Sequence, residues 1–152
     1  MSEKMAVTEV LFSWLSRDNA LFFHIIIGGL LVVLPLIILL YLGKKPSWLK
    51  NASLLAALAS WLVFVPAARL YVDFYPATKT LILAGTWPWA HKVVMETKEH
   101  WGLLLPVIAT VAAWQVFKGD EEKSRKWWAL TLVLALLLAV MGRLVKMGAG
   151  AQ

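Results

Sequence analysis

The sequence predicts an all-α protein, a four-transmembrane-helix bundle with an N-terminal interfacial amphipathic helix, and three observations carry that prediction. Of the 152 residues, 61% are hydrophobic and 16% charged, with a mean hydropathy of +0.72. Soluble domains carry about 25% charged residues, so this composition belongs to the membrane class. Four apolar stretches each come close to the ~20 residues that cross a bilayer core. The basic residues, which give a net charge of +6, cluster at the ends of these stretches and form no soluble basic face, so their counter-charges are lipid headgroups and not nucleic acid.

The elements follow in order. Over Met1 to Asn19, the residues Val7, Val10, Leu11, Trp14 and Leu15 recur at helical spacing, with Glu9, Ser13 and Arg17 between them, the pattern of a helix lying in the interface. Polar residues break this run and no small-residue cleavage site follows, which argues against a secretory leader. The first span is expected over residues 20–42, with His24 as its ionisable residue, Gly28 and Gly29 as bare backbone, and Pro35 as a kink. Lys44, Lys45, Pro46 and Lys50 make a basic turn. The second span is expected over 52–72, with Arg69 near its end and Asp73 one turn further on.

A long connection, Phe74 to Glu99, should lie at headgroup level and be partly helical, since it contains Pro76, Gly85, Pro88, Trp87 and Trp89. His91 falls within it and is expected to be solvated. The third span is expected over 100–117 and the fourth over 127–144, separated by a charged turn around Asp120. These spans use most of the chain, so residues 1–152 are expected to form a single integral membrane domain, with no room for a soluble catalytic unit. Nothing repeats between the halves, which leaves an inverted-repeat transporter unsupported. The absence of cysteine excludes thiolate zinc sites, iron–sulfur clusters and covalently attached haem for this chain alone.

The two short turns carry seven lysines and arginines in few residues, whereas the other side spreads eight over longer segments. That density places the short turns in the cytoplasm and both termini on the outer side of the inner membrane. Because successive spans run in opposite directions, His24, His100, Arg69 and Arg143 fall near one outer layer. Two histidines on neighbouring helices can supply both axial nitrogens of a b-type haem. In that arrangement Arg69 and Arg143 face its propionates, Gly28 lets the flat ring approach the first helix, Phe22, Phe23 and Trp101 line the pocket, and Glu96 or Thr97 takes the second N–H of His100. Taken singly, each histidine also fits a carbonyl-bonded helix end, and each arginine an interfacial anchor.

The stretch His24-Ile25-Ile26-Ile27-Gly28 resembles the His-Phe-Pro-Ile-Gly opening of a bacterial domain-of-unknown-function family of small, four-helix, cytochrome-like membrane proteins. The long outer connection, the histidine opening the third span and the ending Gly142-Arg143-Leu144-Val145-Lys146-Met147-Gly148-Ala149-Gly150 are similar too. The family's earlier His-Pro corresponds here to Asn19-Ala20, and its terminal histidine has no counterpart. The resemblance implies a role as a ligand for His24 and, more loosely, for His100.

The expected function is therefore a membrane electron-transfer subunit with haem b as cofactor, iron-ligated by His24 and His100, passing electrons between quinol and an outer-face redox protein within a larger complex. No acid–base or nucleophile constellation marks the chain as an enzyme on its own. The alternatives are a cofactor-free accessory subunit, or a pigment-binding one in which a single histidine ligates a chlorophyll magnesium.

Overall fold

Long apolar stretches in a chain that cannot hydrogen-bond to lipid are forced into helix, because helix satisfies every backbone N–H and C=O internally. The computed structural model describes residues 15–151, and those residues are almost wholly helical, with no strand among them. The helices are α1 (Arg17–Tyr41), α2 (Leu49–Leu62), α3 (Phe64–Arg69), α4 (Tyr75–Ala84), α5 (Glu96–Lys118) and α6 (Glu121–Gly150). A single 3₁₀ turn, Leu42–Lys44, follows α1. The two π-helical segments, Leu70–Phe74 and Ala90–Met95, lead into α4 and α5.

Four of the resulting continuous stretches are long and apolar enough to cross a membrane: Arg17–Lys44, Leu49–Ala84, Ala90–Lys118 and Glu121–Gly150. At 28 to 36 residues each, they reach roughly 42–54 Å, well past the ~30 Å of a hydrocarbon core. Each is longer than its apolar run because polar residues cap it. Ser16 accepts from the Asn19 N–H at 3.3 Å to open α1. Asp120 does the same for the Lys123 N–H at 3.0 Å to open α6, just after Gly119 turns the chain at φ 76°. The amphipathic helix expected over Met1–Asn19 lies mostly outside the described residues. Its last three residues, Arg17 to Asn19, belong to α1.

The expected long connection is shorter than the sequence suggests. Only residues 85–88 are non-helical. Pro76 accounts for the change in helix type before α4: it has no N–H to give to the Val72 carbonyl, and the ladder slips to a longer step in which the Tyr75 N–H reaches the Leu70 carbonyl. Pro66 sits one turn after the break at Val63 between α2 and α3.

The spans close into an up-down ring in which α1 packs on α2 and α6, and α5 packs on the same two helices. Two apolar clusters fill its interior. Toward the basic turns, Ile38, Ala56, Ala109, Ala112 and Trp128 pack together, and beyond them Leu31, Ala59, Leu105, Leu134 and Ala135. Alanines on α2, α5 and α6 let the backbones approach closely. A third cluster of Tyr75, Ile82, Ala90, Val94 and Val145 forms a helical cap at the other end. There the C-terminus of α6 tucks under the 85–88 connection, the Thr86 N–H bonding the Ala151 carbonyl at 3.1 Å. Large apolar side chains such as Leu40, Val72, Leu103 and Val140 point outward, as lipid-facing surfaces require.

Candidate functional site

The inward stripe of α5 runs back from Leu105 through Gly102 and Lys98 to Val94 and His91, in steps of three and four residues. Helical phase therefore carries a lysine into the bundle. Lys98 is half-buried, and its side chain lies across Gly142 of α6, Cε coming within 3.6 Å of where a β-carbon would stand. Among the described residues Lys98 makes no ion pair. The inward stripe of α1, Ala20, His24, Gly28 and Leu31, brings His24 to the same level, beside Lys98 and the Val63 backbone at the α2–α3 break. Its Nδ1 is buried and has no hydrogen-bond partner among the described residues.

One residue along from Lys98, Glu99 contacts the Tyr71 hydroxyl, while its other oxygen, Oε1, is buried without a partner among the described residues. Tyr71 stacks on Tyr75 with ring centroids 5.5 Å apart. The Tyr75 hydroxyl meets Nδ1 of His91 at 2.9 Å in the buried cap. Tyr71 belongs to one π segment and His91 to the other, and Tyr75 directly follows the first. Extra residues of this kind re-aim side chains and recur at functional sites.

This end of the bundle corrects the expectation for His91. It is buried, with 6% of its surface exposed, because the chain is already helical at Ala90 and the helical repeat turns Ala90, His91 and Val94 inward together.

The other residues singled out from sequence are placed as follows. His100 lies two residues beyond Lys98, about 200° further round α5, and is exposed. Its Nδ1 donates to the Glu96 carbonyl at 2.7 Å, the backbone of one of the residues expected to take that proton, leaving Nε2 free. The shallow groove around it is lined by Lys92, Val93, Glu96, Thr97 and Trp101, all from its own helical stretch and none from α1. Trp101 is exposed beside it. Gly28 meets open space, with nothing within 4 Å of where a β-carbon would stand. Arg69 ion-pairs with Asp73, donates through Nε to the Leu15 carbonyl at 3.3 Å and lies over the Phe74 ring. Arg143 points outward and is exposed.

His24 thus faces the interior and His100 the exterior. The two rings do not share a pocket, so the residues present do not fit a haem clamped between these two histidines of one chain. Among the described residues no cluster of three or more histidine, aspartate or glutamate side chains is placed to hold a metal ion.

No protein family, curated protein or solved structure matches this chain.

The chemistry therefore rests on the residues themselves. Leaving a buried polar atom unpaired costs about 1–3 kcal/mol, and a cation inside a membrane bundle adds to that. Here a free imidazole nitrogen, an ammonium and a free carboxylate oxygen lie at one level, flanked by glycines on α1 and α6. Such a set offers donors and an acceptor to a ligand that carries oxygen atoms on an otherwise apolar frame.

Proposed function

We propose that the chain is an electron-transfer subunit of the inner membrane, with both termini outside, that binds a quinone between its spans and exchanges electrons with an outer-face redox protein of a larger complex. The observation that carries this reading is the pair of buried atoms without a partner among the described residues, His24 Nδ1 and Glu99 Oε1, beside the half-buried Lys98. A quinone carbonyl accepts a hydrogen bond from Lys98, and the quinol hydroxyls donate to the free Nδ1 of His24 and to Glu99. When quinol is oxidised it loses two electrons and two protons. The electrons pass one at a time, in two successive transfers, to the outer-face redox protein. The two protons go to His24 Nδ1 and to Glu99, which contacts the Tyr71 hydroxyl on the way to the interface. Apolar surroundings strengthen each of these contacts and admit the ligand from the lipid.

A second reading keeps a haem. The Nδ1–H of His100 is fixed by a carbonyl while Nε2 stands free at the surface, the arrangement in which an imidazole ligates iron. In that reading the second ligand comes from another subunit, and this chain supplies His100 with Trp101 beside it.

Purified protein in lipid nanodiscs tests both. Titration with a short-chain benzoquinone should quench tryptophan fluorescence saturably, and Lys98→Met or His24→Leu should weaken binding at least tenfold, the loss of one charge-assisted hydrogen bond worth about 1.5–3 kcal/mol. Absence of quenching, or equal affinity in both variants, would sink the quinone reading. A visible haem spectrum lost in His100→Ala and kept in His24→Leu would establish the second reading, and failure of both would leave a cofactor-free accessory subunit.

A further inference from the structure

At the opposite end of the bundle the two short turns meet around a cleft of about 140 Å³. Leu42, Leu49 and Val116 form its apolar floor, with the buried Ser124 beneath, and Lys45, Lys50 and Glu121 stand at its rim. The charges here are unevenly matched. The carboxylates are already taken: Asp120 pairs with Lys123 at 2.9 Å, Glu122 with Lys126 at 2.6 Å, and Glu121 with Arg125 at 3.2 Å and with Lys45 at 3.6 Å. Among the described residues, Lys44, Lys50 and Lys118 have no carboxylate partner, and each ammonium lies instead over an aromatic ring, of Tyr41, Phe117 and Trp114 respectively. Lys45, which shares Glu121 with an arginine, holds a left-handed backbone at φ 47°. That conformation is unfavourable for a lysine, and it sets the residue at the rim.

We propose that this cleft binds the phosphate of an anionic phospholipid, with Lys45 and Lys50 on the phosphate oxygens and the first acyl carbons on Leu42, Leu49 and Val116. A basic rim over an apolar floor between spans matches a molecule whose charge and hydrocarbon are joined a few ångströms apart. A soluble phosphate satisfies the rim alone. Zwitterionic lipid satisfies the floor and brings its own cation to an already basic rim. Because Glu121 is divided between Lys45 and Arg125, a phosphate at Lys45 leaves Glu121 to Arg125 and breaks no other pair.

The test is native mass spectrometry of the full chain, released from nanodiscs that contain phosphatidylglycerol and phosphatidylcholine in equal amounts. The wild type should retain phosphatidylglycerol preferentially, and Lys50→Gln should lower that retention about fivefold or more. Lys45→Asn should act likewise, since asparagine tolerates the left-handed backbone and the variant removes charge without disturbing the turn. Lys126→Gln, a lysine of the same end that lies outside the cleft, should retain the lipid as the wild type does. Inorganic phosphate at millimolar concentration should fail to displace the lipid if the floor contributes, and displacement would reassign the site to a soluble phosphate. Equal retention across the three variants, or no preference for phosphatidylglycerol in the wild type, would overturn the assignment and reduce these lysines to diffuse interfacial charge.

Discussion

The two ends of this bundle are made from the same alphabet and solve different problems. Toward the basic turns the helices are regular, alanines interleave with Ile38 and Trp128, and the buried hydroxyls of Ser53 and Ser124 donate to carbonyls one turn back on their own helices. At the histidine-bearing end the backbone breaks at Val63, slips into π geometry twice, and leaves His24 Nδ1 and Glu99 Oε1 unpaired among the described residues. Polar satisfaction does not separate the two ends, since Trp128 Nε1 in the alanine layer is also buried without a partner among the described residues; backbone regularity does. Departures from regular helix gather where a protein does something other than fold, which is why function is placed at the histidine end.

The largest effect expected from this contrast is on stability. Trp128 is fully buried in the alanine layer, and Trp128→Ala should cost about 3–5 kcal/mol through the cavity it leaves. His24→Leu fills a similar volume and removes an unpaired nitrogen, so it should leave the melting temperature in detergent unchanged or raised. If His24→Leu proves as damaging as Trp128→Ala, the imidazole is structural, and the contrast between the two ends fails.

The glycines sharpen the comparison within the histidine end itself. A β-carbon on Gly148 would stand 2.6 Å from that of Ala90, and the cap is closed by backbone there. Gly148→Ala should therefore force α6 away from Ala90 and cost about 1–3 kcal/mol. Gly28 faces open space, so Gly28→Ala should be neutral or stabilise by up to ~1 kcal/mol through helix propensity. The same pair of variants separates packing from ligand room: unchanged stability in Gly28→Ala with weakened quinone binding would mark that space as part of the site.

How much of this was written in the sequence can be seen residue by residue. Four spans followed directly from hydropathy, because lipid leaves an apolar stretch no option but helix. Their ends did not, since a span stops where hydropathy stops whereas a helix stops at a cap, and Ser16, Gly119 and Asp120 lie beyond the apolar runs. The Trp-rich segment around Gly85 has the punctuation of a loop, yet Tyr75–Ala84 is helix, because Pro76 is harmless in a first turn. His24 was legible as the one ionisable residue in an apolar run. Lys98 and Glu99 were missed by starting the third span at His100, and carrying the stripe of Leu105 and Gly102 back one more turn reaches Lys98; Tyr71 lay within the expected second span and carried no signal of its own. The inward face of His24 and the outward face of His100 depend on phase within two different helices, which span order alone does not give.

The smallest predicted effect belongs to the basic-turn end, at the start of α6. The Asp120 carboxyl is held below the usual carboxylate range by hydrogen bonds from Lys123, first from its side chain and then from its backbone N–H. A carboxylate whose folded pKa is depressed contributes stability above its unfolded pKa, and that contribution is lost as pH falls from the ordinary carboxylate range through the lower folded value. The first turn of α6 should therefore fray on acidification in the wild type, seen as faster amide hydrogen exchange over residues 121–126. In Asp120→Ala the same turn should already exchange faster at neutral pH and respond less to acid, whereas Asp120→Asn should retain most of the cap, because an amide oxygen can still accept from the Lys123 N–H. Because the carboxylate is at the surface, the change should stay local and leave the melting temperature of the bundle almost unmoved. A global shift in Asp120→Ala would mean that this end is held by its turn as much as by the packing of Trp128, and that the alanine layer is not what makes it the stable end.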